Sequence, residues 1–190
     1  MKVLLILDSL NRGGSEMLAL DVCRNAARHG VEITLVATGG GSLEKDFEAS
    51  GVEYIRLQRR LPIDLRLVVS LRKIIRERVI DIVHADQAVS GLHIYLATIG
   101  TNVRRVLAFH GHTHDKKNRL VLKYLAPRMA SNLIVSQALH KWLEDQAGVQ
   151  LSKNVTVLYN GVDEARLVSI SDYLRNELGL DSDALIFGMI

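Results

Sequence analysis

The chain has 190 residues and a single cysteine, Cys23. One thiol excludes an intrachain disulfide framework and a four-cysteine metal site. It fits a reducing compartment, and Cys23 reads as a small buried apolar residue of the first helix. Aromatic residues make up only 5% and the net charge is +3. A single-stranded nucleic-acid platform needs exposed aromatics interleaved with cations, so no nucleic-acid partner is expected. Long apolar runs are missing as well. Met1-Lys2 leads into a short apolar strand with no clean cleavage site after it, unlike a secretory signal. No run approaches the ~18 apolar residues of a spanning helix. The chain is expected to be cytoplasmic, at most peripheral on the inner face of the membrane. Two nucleotide fingerprints are absent too. No Gly-Lys-Ser or Gly-Lys-Thr occurs, which excludes a P-loop. The dinucleotide motif needs a third glycine and an acid after the second strand. Here that strand ends at Ala37-Thr38, which argues against a nicotinamide dehydrogenase.

What is present is ordinary for a globular domain with a sizeable core: 48% hydrophobic and 24% charged residues. The apolar pattern switches repeatedly between strand-like runs and helical spacing. Val3–Leu7 reads as a strand and Ser15–His29 as a helix, with Leu18, Val22 and Ala26 on one side and Gly30 at its end. Strands follow at Val31–Ala37 and Glu53–Leu57, with a short helix at Ser42–Ser50 between them. Asp64–Val79 is a longer helix with Val68, Leu71, Ile75 and Val79 at helical spacing. Then come a strand at Asp81–Ala85, a helix at Ala88–Ile99, a strand at Arg104–Phe109 and a helix at Asn118–Ala130. Asn132–Val135 is a strand, Ser136 is the N-cap of a helix to Ala147, and Asn154–Tyr159 is a further strand.

Strands alternating with helices imply right-handed βαβ units. The strands are continuous apolar runs, as a sheet covered on both faces requires. The expected fold is therefore α/β, a doubly wound, Rossmann-like parallel sheet of about seven strands. In such sheets ligands bind beyond the carboxyl ends of the strands. That rule gathers Gly13-Gly14, Gly39–Gly41, Asp86, His110 and Ser136 on one rim. The Gly-Gly pair opens the first helix. Bare backbone there allows close approach, and the helix start adds unpaired N–H donors and partial positive charge. That suits phosphate or another anion. The alternative is a turn that only needs glycine's conformational freedom.

His110-Gly111-His112-Thr113-His114 is the densest polar cluster. Alternate histidines on a strand would share a face and could ligate a metal. Only Asp115 is near them as a further ligand, so no metal site is expected; the alternative is a polar loop at a strand end where one histidine matters, and His110 is the one placed by the strand before it. Seven basic residues lie in Arg56–Arg76: Arg56, Arg59, Arg60, Arg66, Arg72, Lys73 and Arg76. A second group, Lys116, Lys117, Arg119 and Lys123, flanks Leu120, Val121 and Tyr124. Cations bordering apolar residues suit an anionic lipid surface, and equally a solvated helix face.

After Asn160-Gly161-Val162-Asp163 the pattern gives a helix over Ala165–Leu178 and an apolar strand at Ala184–Ile190. That strand has nothing left to pair with, so it is expected to open a second, truncated domain.

With these residues in view, the chain resembles the amino-terminal half of retaining glycosyltransferases of the GT-B fold. It looks most like the large bacterial group of mannosyl-, glucosyl- and N-acetylglucosaminyl-transferases. The matching elements are the opening strand with Gly13-Gly14-Ser15-Glu16, Asp81-Ile82-Val83-His84, Phe109-His110, Ile134-Val135-Ser136 and Val157-Leu158-Tyr159-Asn160-Gly161-Val162-Asp163. The resemblance implies one half of a two-domain enzyme. Residues 1–163 would be the acceptor domain, and 164–190 the connecting helix and first strand of the donor domain. It further implies that Gly13 and Gly14 approach the donor diphosphate and that His110 lies at the transferring sugar. Ser15, His84, Asp86, His112 and Ser136 become acceptor-side candidates, and Asn160, Gly161 and Asp163 the interdomain hinge. The position of Asp86 is often histidine in relatives. The donor-gripping basic residues and paired glutamates of the second domain lie outside this sequence. The expected partners are a nucleotide-diphosphate sugar and a lipid-linked, glycan or polysaccharide acceptor, with no metal or cofactor and possible contact with anionic membrane. The expected reaction is hexosyl transfer with retention in polysaccharide biosynthesis, with the fragment alone inactive. A GT-B nucleotide-sugar epimerase and a non-catalytic module binding a glycan or lipid headgroup are the alternatives.

Overall fold

The computed structural model describes residues 1–113, 115–161, 173–181 and 184–186. The chain divides into two compact units, Met1–Asn160 and Gly161–Ile190. The first unit is a seven-stranded sheet in the order β3-β2-β1-β4-β5-β6-β7. Its strands are β1 (Lys2–Leu7), β2 (Glu32–Ala37), β3 (Glu53–Arg56), β4 (Ile82–Ala85), β5 (Arg104–Phe109), β6 (Ser131–Ile134) and β7 (Val155–Val157), and every pairing is parallel. The helices are α1 (Gly14–Asn25), α2 (Glu44–Glu48), α3 (Leu65–Glu77), α4 (Ala88–Ala97), α5 (Lys116–Leu125) and α6 (Gln137–Asp145).

Alternation along each buried strand builds two separate cores. Leu5 and Leu7 of β1 pack with Ala19, Leu20 and Cys23 of α1 and Phe47 of α2. Leu4 and Ile6 face the other way, toward Leu71 of α3, Ile94 of α4, Leu125 of α5 and Leu143 of α6. The sheet is thus wound on both faces, and β5 has the bounds its sequence pattern gives.

Several expectations are corrected. The inward face of α1 is Ala19, Leu20 and Cys23, continuing to Ala26, while Val22 is exposed. Small residues let this helix lie close on the sheet, and the larger apolar positions do not mark its face. Val79 does not continue the α3 stripe. It is exposed, sits past the helix end at φ 54, and leaves Ile80 to enter the core. Asp115 caps α5, so that helix starts at Lys116, and its end tightens into a 3₁₀ turn over Ala126–Arg128 around Pro127. Gly30 closes the α1 segment at φ 66, donating its N–H to the carbonyls at its end.

The start of α3 is tied into the body of the domain. Asp64 is buried and its carboxylate accepts from the amides of Arg66 at 3.0 Å, Leu67 at 3.3 Å and Arg60 at 3.0 Å. The Asp64 amide donates to His93 Nε2 at 3.0 Å, and His93 Nδ1 lies 2.7 Å from the Val89 carbonyl. This places the His93 proton on Nδ1 and locks α4 to the α3 cap.

Cys23 is 2% exposed. Burial pushes its thiol up to about 12. At neutral pH, iodoacetamide is expected to label the folded chain at least ~100-fold more slowly than the urea-unfolded chain, read by mass spectrometry. Equal rates would place Cys23 at the surface.

In the second unit the described helix is α7 (Tyr173–Glu177), and Arg175 Nη1 donates to the carbonyls of Asp181 at 2.7 Å and Ala184 at 2.8 Å. The described residues 184–186 are not in a strand. Most of the expected helix from Ala165 and strand to Ile190 lies outside the described residues.

Candidate active site at the strand switch point

The strand order reverses at β1, which has β2 on one side and β4 on the other. The chain therefore leaves this point in opposite directions, and a crevice opens at the carboxyl ends of β1 and β4. The β1–α1 loop enters it. Leu10 donates to the Gly40 carbonyl at 3.1 Å, and Leu43 donates to the Leu10 carbonyl at 2.9 Å. A Cβ on Gly39 would stand 2.2 Å from the Asp8 carbonyl oxygen, and one on Gly41 2.0 Å from the Leu10 carbonyl carbon. Gly39 and Gly41 thus let two loops pack backbone on backbone. Gly41→Ala is expected to cost at least about 1 kcal/mol by overpacking, measured by urea unfolding. An unchanged midpoint would mean that the loops separate freely.

Gly13 and Gly14 are glycines for another reason. Gly13 has φ −147 and ψ 170, extended backbone open to any residue. Gly14 begins α1, and a Cβ built on it meets nothing within 4 Å. Neither backbone conformation nor contact with the rest of the domain calls for a bare backbone at Gly14, which removes the turn-only explanation there. No side chain caps α1. Its first N–H groups therefore have no side-chain cap, and with the helix dipole they can receive an anion. Glu16 lies in this first turn and Ser15 Oγ donates to its carboxylate at 2.9 Å. Glu16 complements the same partial charge, so an arriving anion has to displace or share it.

On the other side of the crevice, Asp86 follows β4 and His110 follows β5. Asp86 Oδ1 is 3.1 Å from His84 Nε2 and 3.5 Å from His110 Nε2, with the Asp86 side chain 6% exposed. Burial alone would raise the Asp86 carboxyl. The contacts from His110 and then His84 outweigh it and hold the carboxyl well below the usual carboxylate range. Neither contact is aligned as a hydrogen bond, so His84 Nε2, Asp86 Oδ1 and both ring nitrogens of His110 are buried with their hydrogen-bonding capacity unspent. Such atoms are costly to leave unpaired. Asp86 and His110, though not His84, line a cavity of about 220 Å³ with Asn118 and Thr113 as further polar walls and Phe109 and Leu122 as apolar ones. The arrangement can bind hydroxyl groups, orient an imidazole against a fixed carboxylate and face developing positive charge.

Comparison with protein families matches residues 12–166 to Glycosyltransferase Family 4. The chain belongs to that family. No curated protein matches the chain. Among solved structures it is similar to a glycosyltransferase from Rickettsia africae, with 19% identity, TM-score 0.76, and 96% of this chain and 50% of that one covered. It is also similar to Anabaena HepE in complex with UDP, with 23% identity, TM-score 0.78, and 94% and 50% covered. A HepE complex with UDP-glucose has 25% identity, TM-score 0.74, and the same coverage. The domain has the fold of one half of a GT-B glycosyltransferase and spans about half the length of these structures.

In this glycosyltransferase family domain the remaining candidates take varied positions. Ser136 caps α6, its hydroxyl oxygen accepting from the Leu139 amide at 3.1 Å. His112 is in a loop, because β5 ends at Phe109, and its ring meets Trp142 edge-on at 4.6 Å. The spacing of alternate histidines along a strand, which a metal site there would use, is therefore absent, and His114 lies outside the described residues. Among the described residues no group of three metal-ligating side chains is assembled. Asn160 and Gly161 are exposed, and Asp163 lies outside the described residues.

The domain adds a rim cluster that the sequence did not single out. Asp8, at the end of β1, accepts from Thr38 Oγ1 at 3.1 Å and from Arg59 Nη1 at 2.9 Å. The available signal was the one that marked Asp86 and His110, a polar residue directly after an apolar strand. No helix of the described residues is long and apolar enough to cross a membrane.

Proposed function

We propose that this domain is the acceptor-side half of a retaining glycosyltransferase that moves a hexose from a nucleotide-diphosphate sugar to a lipid-linked or glycan acceptor, in polysaccharide assembly. The observation that carries the reading is the uncapped start of α1 at the strand switch point, with open space in front of Gly14. An anion-binding site at that point fits a donor diphosphate held from across a cleft. The HepE structures in complex with UDP and UDP-glucose support a nucleotide-sugar donor for a domain of this fold.

In this reading the leaving diphosphate gains charge as the glycosidic bond breaks. The Gly13-Gly14 segment and the first turn of α1 stabilise it through preorganised N–H donors. His110 faces the transferring sugar, with Asp86 holding its ring. Ser15, His84, His112 and Ser136 border the acceptor. The Asn160–Asp163 segment joins the two halves, with the boundary at 163/164. The chemistry uses no metal and no organic cofactor.

The test is transfer by the full-length enzyme across a panel of nucleotide-diphosphate sugars, with the product anomer read by NMR. Transfer with retained configuration is expected, and none from residues 1–190 alone. A sugar product formed without acceptor would replace this reading with epimerisation. Inversion would remove the retaining assignment.

A further inference from the structure

The cavity beside His110 has walls of one electrostatic kind. Its volume is about 220 Å³. A cavity of about 150 Å³ holds benzene, and pockets for drug-sized ligands begin near ~300 Å³. The space therefore suits one substituted six-membered ring. Among the described residues no lysine or arginine lines it, and its acidic side chain is Asp86. That side chain is 6% exposed. It stays ionised at neutral pH. Burial pushes the carboxyl up, but the contacts from His110 and then His84 hold it well below the usual carboxylate range.

His110 extends the same character. Its Nε2 faces Asp86 Oδ1 at 3.5 Å. A carboxylate only accepts hydrogen bonds, which assigns the ring proton to Nε2 and leaves Nδ1 of the neutral ring with a bare lone pair. Nδ1 is buried and finds no hydrogen-bond partner among the described residues. A buried acceptor without a donor is costly, so the position calls for a ligand that brings an O–H or N–H group. A hydroxyl does so. A carboxylate or phosphate group brings only further lone pairs and a second negative charge beside Asp86. Thr113 and Asn118 are walls that can both donate and accept, and Phe109 and Leu122 offer the C–H face of a ring an apolar contact.

We propose that this cavity seats the acceptor ring and selects a neutral, hydroxyl-bearing ring against an anionic one. His110 Nδ1 accepts from a ring hydroxyl, and the charge of Asp86 shuts out carboxylate and phosphate groups. The proposal rests on the acceptor-side reading of the domain and adds the class of ring. Any phosphate of a lipid-linked acceptor then stays outside the cavity. Asp86 acts through its charge and through the His110 ring it holds, without bonding the ligand itself. Discrimination of this kind comes from a repulsive element as much as from an attractive one.

Trp142 is the single tryptophan of the chain. Its ring meets that of His112, a wall of the cavity, at 4.6 Å, so intrinsic fluorescence reads ligand entry. The 190-residue chain is titrated at constant ionic strength with the methyl pyranosides of glucose, mannose and galactose. The matching methyl uronides, which differ by one ring carboxylate, are the anionic probes. At least one neutral pyranoside is expected to saturate, with its uronide at least about tenfold weaker. His110→Ala is expected to weaken the neutral ring at least about fivefold. Asp86→Asn, checked for folding by circular dichroism at the assay temperature, is expected to bring the two rings within about threefold of each other. Asn118→Asp reads the same charge from the first turn of α5, where a carboxylate suits the helix start, and should widen the ratio about threefold or more. A uronide that binds as tightly as its pyranoside overturns the proposal, as does the absence of saturation by all three neutral rings. So does a His110→Ala chain that binds like wild type, or a ratio that neither Asp86→Asn nor Asn118→Asp moves. Binding is read without donor or transfer. Selective binding by this chain with no sugar transfer by the full-length enzyme would sink the transfer reading alone. Transfer by the full-length enzyme with charge-blind binding here would sink the selectivity alone.

Discussion

Gly14→Leu in the full-length enzyme is expected to lower kcat/KM for sugar transfer by about 10²–10³-fold, with the melting temperature of residues 1–190 shifted by less than about 2 °C. The two halves of this expectation rest on one observation. A Cβ at Gly14 meets nothing within 4 Å. It therefore costs the fold little, and leucine is a better helix former than glycine. The same side chain fills the space in front of the α1 amides, where the diphosphate is proposed to sit. Gly41→Ala is the matched control. There the new methyl strikes Leu10 backbone, so the loss falls on stability. Gly14→Ala should lie between wild type and Gly14→Leu in turnover, since a methyl fills part of the gap. Near-normal turnover in Gly14→Leu would remove the diphosphate from this loop, whatever the stability.

This contrast also shows which parts of the site could be read before folding. The seven strands were legible because each carries an apolar stretch, however short, between turn residues, and β5 needed no adjustment at either end. The rim followed from strand alternation alone, since polar residues directly after apolar runs are placed at carboxyl ends. The roles of individual glycines were not legible. Gly13-Gly14 and Gly39–Gly41 look alike as sequence, yet Gly39 and Gly41 hold two loops together while Gly14 leaves space open. That difference depends on which loops touch, and so on strand order. The same holds for Asp8 and Arg59, which are 51 positions apart. It also holds for the inner face of α1, where Ala19 and Cys23 pack because they are small. Asp86 was marked as a rim residue. Its place between two histidines required knowing that β4 and β5 are neighbours.

That placement gives Asp86 the larger stability role. Asp86→Ala is expected to destabilise residues 1–190 by about 2–3 kcal/mol, because the carboxylate is the described counter-group of both His84 and His110. The pH dependence separates charge from packing. The Asp86 carboxyl is held below its ordinary value in the folded chain. Its contribution is therefore fully present above the unfolded value of about 4 and fades as pH falls from there toward the folded value. Asp86→Asn keeps the shape and removes the charge. Its melting temperature should lie below wild type at neutral pH, and the gap should narrow once pH drops below about 4. A gap that stays constant or widens there would show that the histidines do not hold the carboxylate. In the full-length enzyme, Asp86→Ala and His110→Ala should then be coupled, the double variant losing less transfer than the two single losses combined. Additive losses would mean that Asp86 acts on the substrate by itself, because an aspartate that works by holding His110 has nothing left to do once that ring is gone.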